Sequence, residues 1–208
     1  MSPEPRRGFL ALGDSYTVGE GVAGSDRWPN QLAVALRDTG VDIDDPRIIA
    51  TTGWTTDELS LAVDAASLGN DYALVALLIG VNNQYRGRSI DNYASEFSNL
   101  LKRAVAFACG NRKQVIVVSI PDWGVTEFAS SSGRDTNAIA NEIDAFNATA
   151  QSIAESHDVA FIDITALTRA HPDEVVDDGL HPNAAQYSRW VERLKLVARV
   201  AVRDASLY

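Results

Sequence analysis

Ser15 and, far from it in the sequence, the close pair Asp178 and His181 are of the types that carry nucleophilic chemistry together. Ser15 follows the apolar run Phe9-Leu10-Ala11-Leu12, which breaks at Gly13-Asp14, so a strand would end just before the hydroxyl. A serine hydroxyl is a weak nucleophile at neutral pH and needs a base to take its proton. Of the three histidines, His157 closes a helical stretch beside Asp158, where a cation near a helix C-terminus is the ordinary reading. His171 precedes Pro172 in a polar loop and is expected to be exposed. His181 differs, because Asp178 stands three residues before it and Gly179 lets the chain turn tightly between them. Asp178 could orient one ring nitrogen while the other faces Ser15. The same residues also suit an Asp-Gly turn and a helix-capping His-Pro-Asn, and spacing alone leaves the two readings level.

Acyl transfer also needs donors aimed at the oxygen that becomes charged. The backbone N–H groups of Ser15 and Gly53 and the side-chain amide of Asn82 are candidates. Each has a plain structural explanation: Gly53 as a turn residue, Asn82 as a strand terminator. Their joint occurrence after successive strands is what those explanations leave open.

The elements that must position these residues are legible in outline. Apolar runs at residues 8–12, 47–50, 72–79, 114–120 and 159–162 read as five strands. The third, Tyr-Ala-Leu-Val-Ala-Leu-Leu-Ile, lacks alternation, as expected of a central strand covered on both faces. Helical spacing runs from Trp28, from about Thr56 (with Thr55 and Glu58 at capping-box distance), over 92–108, 138–157 and 184–202. Residues 122–135, with Trp123, Phe128 and a Ser-Ser-Ser-Gly run, read as a long loop suited to binding. Strands alternating with helices predict an α/β parallel sheet with helices on both faces. Right-handed crossovers then bring Ser15, Gly53, Asn82, Trp123 and the Asp178/His181 pair to one rim. Trp54, Asn83 and Trp123, on the same turns, are candidate substrate-pocket residues.

At 208 residues, with 46% hydrophobic and 22% charged, the chain suits one domain spanning 1–208. A net charge of −10 argues against nucleic acid and anionic membranes as partners. No stretch is long and apolar enough for a signal peptide or a membrane span, which leads to the expectation of a cytoplasmic protein. The single cysteine, Cys109, excludes a disulfide framework and is expected to be buried and inert.

Gly13-Asp14-Ser15, the isolated Gly53, Gly80-Val81-Asn82 and Asp178-x-x-His181 together resemble the four blocks of the SGNH, or GDSL-type, hydrolases. The resemblance runs the length of the chain in order and spacing. It implies a flavodoxin-like three-layer α/β/α fold with a five-stranded parallel sheet of order 2-1-3-4-5. It also implies a serine esterase with Ser15 as nucleophile, His181 as base and Asp178 as its orienter. Ser15, Gly53 and Asn82 would form the oxyanion hole; a small-molecule ester would be the substrate, without metal or organic cofactor. Asn83 stands where many members have Asp. Two rival readings are a non-catalytic binding module on the same fold, and a metal-dependent phosphodiesterase using His171, Asp173, Glu174, Asp177, Asp178 and His181. Oligomeric state is left open.

Overall fold

The computed structural model of the chain describes residues 7–205. The first six residues, on which the expectation about a leader partly rests, lie outside the described residues. Five strands form one sheet: β1 (Phe9–Gly13), β2 (Pro46–Ala50), β3 (Leu74–Leu78), β4 (Val115–Val118) and β5 (Ala160–Ile162). Their order is β2-β1-β3-β4-β5 and every pairing is parallel. This is the order the resemblance implies.

Burial explains the composition of the strands. Every residue of β1, β3 and β4 is buried, so these central strands need no polar face. The edge strands β2 and β5 are only partly covered, and β2 opens on Pro46, which a sheet edge tolerates. The helices are α1 (Ser15–Val18), α2 (Trp28–Asp38), α3 (Thr56–Ala65), α4 (Val81–Tyr85), α5 (Ile90–Phe107), α6 (Glu127–Ser131), α7 (Thr136–Ser156), α8 (Thr165–Ala170) and α9 (Ala184–Ala205). α2 packs against α9, while α3 and α7 pack against α5, giving the sheet a helical layer on each side. Tyr93, Phe97, Leu100, Leu101 and Ala104 form the buried stripe of α5. The Thr55/Glu58 capping box starts α3 as its spacing predicts. Among the described residues no helix is long and apolar enough to cross a membrane.

Three features differ from the sequence expectation. Residues 122–135 are not a structureless loop but hold a 3-10 turn, Trp123–Val125, and then α6. Asp122 caps the first and Thr126 the second, so local side-chain acceptors organise the segment. α1, α4 and α8 have four, five and six residues, too few to leave a periodic signal. Cys109 is exposed rather than buried. α5 ends at Phe107, and the chain turns out through Cys109 in a left-handed conformation, φ 56°.

The strand ends are level: Gly13 lies opposite Ala50 on one side and Leu78 on the other. This close approach requires glycine at 13. A Cβ there would sit 2.3 Å from Thr17 Oγ1 and 2.5 Å from the Leu78 carbonyl oxygen, and the carbonyl belongs to the central strand. Gly13→Ala should therefore destabilise the fold by about 1–3 kcal/mol, the usual cost of overpacking a rigid site. Urea unfolding of the variant beside the wild type measures it.

Candidate active site

Ser15 begins α1 immediately after β1 and is 4% exposed. The turn that presents it is built by Asp14, whose carbonyl accepts from the N–H groups of Thr17 and Val18 and whose Oδ1 accepts from Tyr16 N at 3.0 Å. At the other end of the chain, Asp178 and His181 are held together. Asp178 Oδ2 lies 2.6 Å from His181 Nδ1, and its Oδ1 accepts from the backbone N–H groups of Leu180 and His181. Burial raises the Asp178 carboxyl, but the hydrogen bonds from the His181 ring and the two N–H groups outweigh it and hold the carboxyl below its ordinary range. An ionised Asp178 facing Nδ1 favours the tautomer with the proton on that nitrogen, in which Nε2 is an acceptor. The loop itself is anchored: Gly179, at φ 67°, allows the turn, Val176 N donates to the His181 carbonyl, and Phe128 N donates to the Gly179 carbonyl.

The candidate oxyanion donors are positioned as firmly. Gly53 has φ 87°, which only glycine adopts freely, and its carbonyl accepts from Arg86 Nη2 at 2.7 Å. Asn82 Nδ2 donates one hydrogen to the Trp54 carbonyl at 3.0 Å, and among the described residues the second N–H of the amide has no acceptor. Among the described residues, the backbone N–H groups of Ser15 and Gly53 have no protein acceptor.

Ser15, Gly53, Asn82 and His181 line one cleft of about 220 Å³. Trp123 lines it too, and the rest of its wall is largely apolar: Val81, Tyr85, Phe128 and Leu180. Two candidates for this pocket stand elsewhere. Asn83 is fully buried and spends its amide on α3, accepting from Thr56 N at 3.1 Å and donating to Thr56 Oγ1 at 2.7 Å. Trp54 packs its ring against the core and reaches the site only through its carbonyl. Read from the sequence, Gln84 and Tyr85 have no role of their own, and Phe128 stands only in a segment suited to binding. Gln84 Oε1 accepts from the Trp123 indole at 2.8 Å, a tertiary contact with no signature along the chain.

Three of the residues grouped for a metal-dependent reading have other partners. Glu174 is bound by the Arg189 guanidinium, and Asp178 and His181 by one another. Among the described residues, no three His, Cys, Asp or Glu side chains gather closely enough to hold a metal ion.

Residues 11–189 match the GDSL-like lipase/acylhydrolase family. Solved structures share the fold at low identity. They include TesA (20% identical, TM-score 0.69, 94% of this chain and 99% of that one). The lipase/acylhydrolase from Enterococcus faecalis is 16% identical, with a TM-score of 0.71 over 95% and 96% of the two chains. Phospholipase A1 from Streptomyces albidoflavus NA297 is 21% identical, with a TM-score of 0.65 over 94% and 99%. No curated protein sequence matches the chain.

Asp14 gives the site a pH signature of its own. The side chain is fully buried and, among the described residues, its Oδ2 has no hydrogen-bond partner. Burial pushes the carboxyl from 3.8 up to about 7, against the pull of backbone N–H groups. Between those values the folded chain keeps a proton that the unfolded chain has released. Stability from this group is therefore complete below the lower value and lost as pH rises through the higher one. Asp14→Asn keeps an acceptor for Tyr16 N and removes the charge. It should be more stable than wild type near pH 8, by no more than roughly 4 kcal/mol, with the gain shrinking toward pH 5. Urea titrations at the two pH values check both sign and slope.

Proposed function

The chain belongs to the GDSL-like lipase/acylhydrolase family and is an ester-bond hydrolase, and on that premise we propose that it works as a serine esterase through an acyl-enzyme. Ser15 Oγ attacks the ester carbonyl carbon and passes its proton to His181 Nε2. The tetrahedral oxyanion is received by the N–H groups of Ser15 and Gly53 and the free amide hydrogen of Asn82. Collapse expels the alcohol, which takes the proton back from His181. Water then enters, loses a proton to the same nitrogen and bonds to the acyl carbon. Collapse breaks the bond to Ser15 Oγ, which takes the proton from His181 as the acid leaves.

The observation that carries this reading is the 2.6 Å Asp178–His181 hydrogen bond at a cleft that also contains Ser15, Gly53 and Asn82. Asp178 keeps the imidazole in one tautomer and stabilises the cation formed when Nε2 takes the proton. Asn82 acts on a charge absent from the ground state, so its contribution belongs to kcat. The four segments involved follow strands of one sheet, which supports a single catalytic domain acting on small-molecule esters.

A fluorophosphonate should add one equivalent, on Ser15, since on this reading that hydroxyl has a base and oxyanion donors. Labelling that persists in Ser15→Ala would refute the assignment. Asn82→Ala should lower kcat on the order of 100- to 1000-fold with little change in KM. Steady-state kinetics on a chromogenic ester separates the two parameters; a rise in KM at constant kcat would assign Asn82 to binding instead.

A further inference from the structure

The apolar wall of the cleft is held by a chain of hydrogen bonds that the proposed chemistry does not use. Glu142 on α7 accepts from Gln84 Nε2 at 2.5 Å and from Arg134 Nη2 at 2.9 Å. A carboxylate only accepts, so the nitrogen of the Gln84 amide must face Glu142 and its oxygen must face the other way. There it meets the indole Nε1–H of Trp123, which only donates, at 2.8 Å. The Arg134 guanidinium lies 5.2 Å from the centre of the Trp123 ring system and 5.8 Å from that of Tyr85. Tyr85 meets Trp123 edge-on at 5.5 Å, and Phe128 stands 6.0 Å from it. Trp123 is 2% exposed and Gln84 equally covered, so neither can swing aside without leaving buried polar groups unpaired.

We propose that Trp123, locked by Gln84 and Glu142, is the wall that restricts the substrate to esters of compact apolar acids. This rests on the serine esterase reading above and specifies its substrate class. The size limit follows from the cleft. An apolar cavity of about 150 Å³ accommodates benzene. On that scale the cleft of about 220 Å³, partly open to solvent, covers roughly nine non-hydrogen atoms of a bound ester. The ester group uses three, leaving an acyl tail of roughly six carbons or one aromatic ring. Its walls (Val81, Tyr85, Trp123, Phe128 and Leu180) suit an apolar tail and offer a charged one nothing in return. Glu142 is a positioning residue: it touches no substrate and acts by fixing which end of the Gln84 amide faces the indole.

The test is kcat/KM for p-nitrophenyl esters from acetyl to dodecanoyl, beside calorimetric binding of the matching free acids to the Ser15→Ala protein. Wild type should peak at or below about six acyl carbons and fall about 10-fold or more for dodecanoyl. Trp123→Ala should move the optimum to longer chains in both measurements, while Trp123→Phe keeps it short. Glu142→Gln lets the Gln84 amide turn round and present a donor to the indole N–H, so it should shift the optimum part of the way. Glu142→Asp retains an acceptor and should restore the short optimum. Glu142 lies on the exposed side of α7, so this pair tests the proposal even if Trp123→Ala does not fold. A wild-type preference for dodecanoyl, or unchanged length profiles in Trp123→Ala and Glu142→Gln, would overturn the proposal and leave the esterase reading intact. Length-selective acid binding that depends on Trp123, without hydrolysis of any ester, would refute the esterase reading and support the wall.

Discussion

All five strands run the same way and end level, with Gly13 between Ala50 and Leu78. Everything at the site depends on that arrangement. Right-handed crossovers carry the chain back behind the sheet, so every segment leaving a strand opens on the same edge. Ser15, Gly53, Asn82, Trp123 and His181 belong to five separate stretches of chain and meet at one cleft for this reason. Parallel strands also free the backbone N–H groups just beyond their ends, and a developing oxyanion needs such donors.

The sheet brings the segments together; hydrogen bonds stiffen them. α4 is the clearest case, because three consecutive side chains tie it to four residues outside it. Asn82 reaches the Trp54 carbonyl, Asn83 grips Thr56 at the start of α3, and Gln84 bridges Glu142 and the Trp123 indole. Each bond nets only about 1 kcal/mol of stability. Their larger effect is geometric, since a donor fixed before the charge develops costs nothing to reorganise during the reaction. The His181 loop follows the same logic, with Asp178 bonded at once to the ring and to two backbone N–H groups. Asp14 departs from it, a buried carboxyl beside the nucleophile with one oxygen unpaired among the described residues, and it makes the folded state sensitive to pH.

Much of this was readable from the sequence because burial writes itself into composition. The unbroken apolar run around Leu74–Leu78 announces a central strand, and the spacing of Tyr93, Phe97, Leu100 and Ala104 announces α5. The Thr55/Glu58 pair marks a helix start through a local hydrogen bond, which spacing alone can reveal. What was not readable depends on partners distant in the chain. Asn83 beside Asn82 looks equally available to a pocket, and only its pairing with Thr56 removes it. Gln84 carries no motif, and its meaning comes from Trp123 and Glu142, 39 and 58 residues away. Trp54 and Trp123 are the same residue type on the same rim, yet only the second turns its ring to the cleft. Cys109 stands in an apolar stretch that reads as buried, and nothing local reports that α5 stops two residues earlier.

The claim at the centre of this account is that the acyl group passes through a covalent bond to Ser15. Rapid-quench mass spectrometry during hydrolysis of a short-chain activated ester observes that bond directly. The account predicts a protein species heavier by one acyl group, with the added mass on the peptide containing Ser15. That species should form together with a burst of released alcohol and decay at the steady-state rate when deacylation is the slower step. Turnover without an acylated species at any time, with hydrolysis retained in Ser15→Ala, would contradict it.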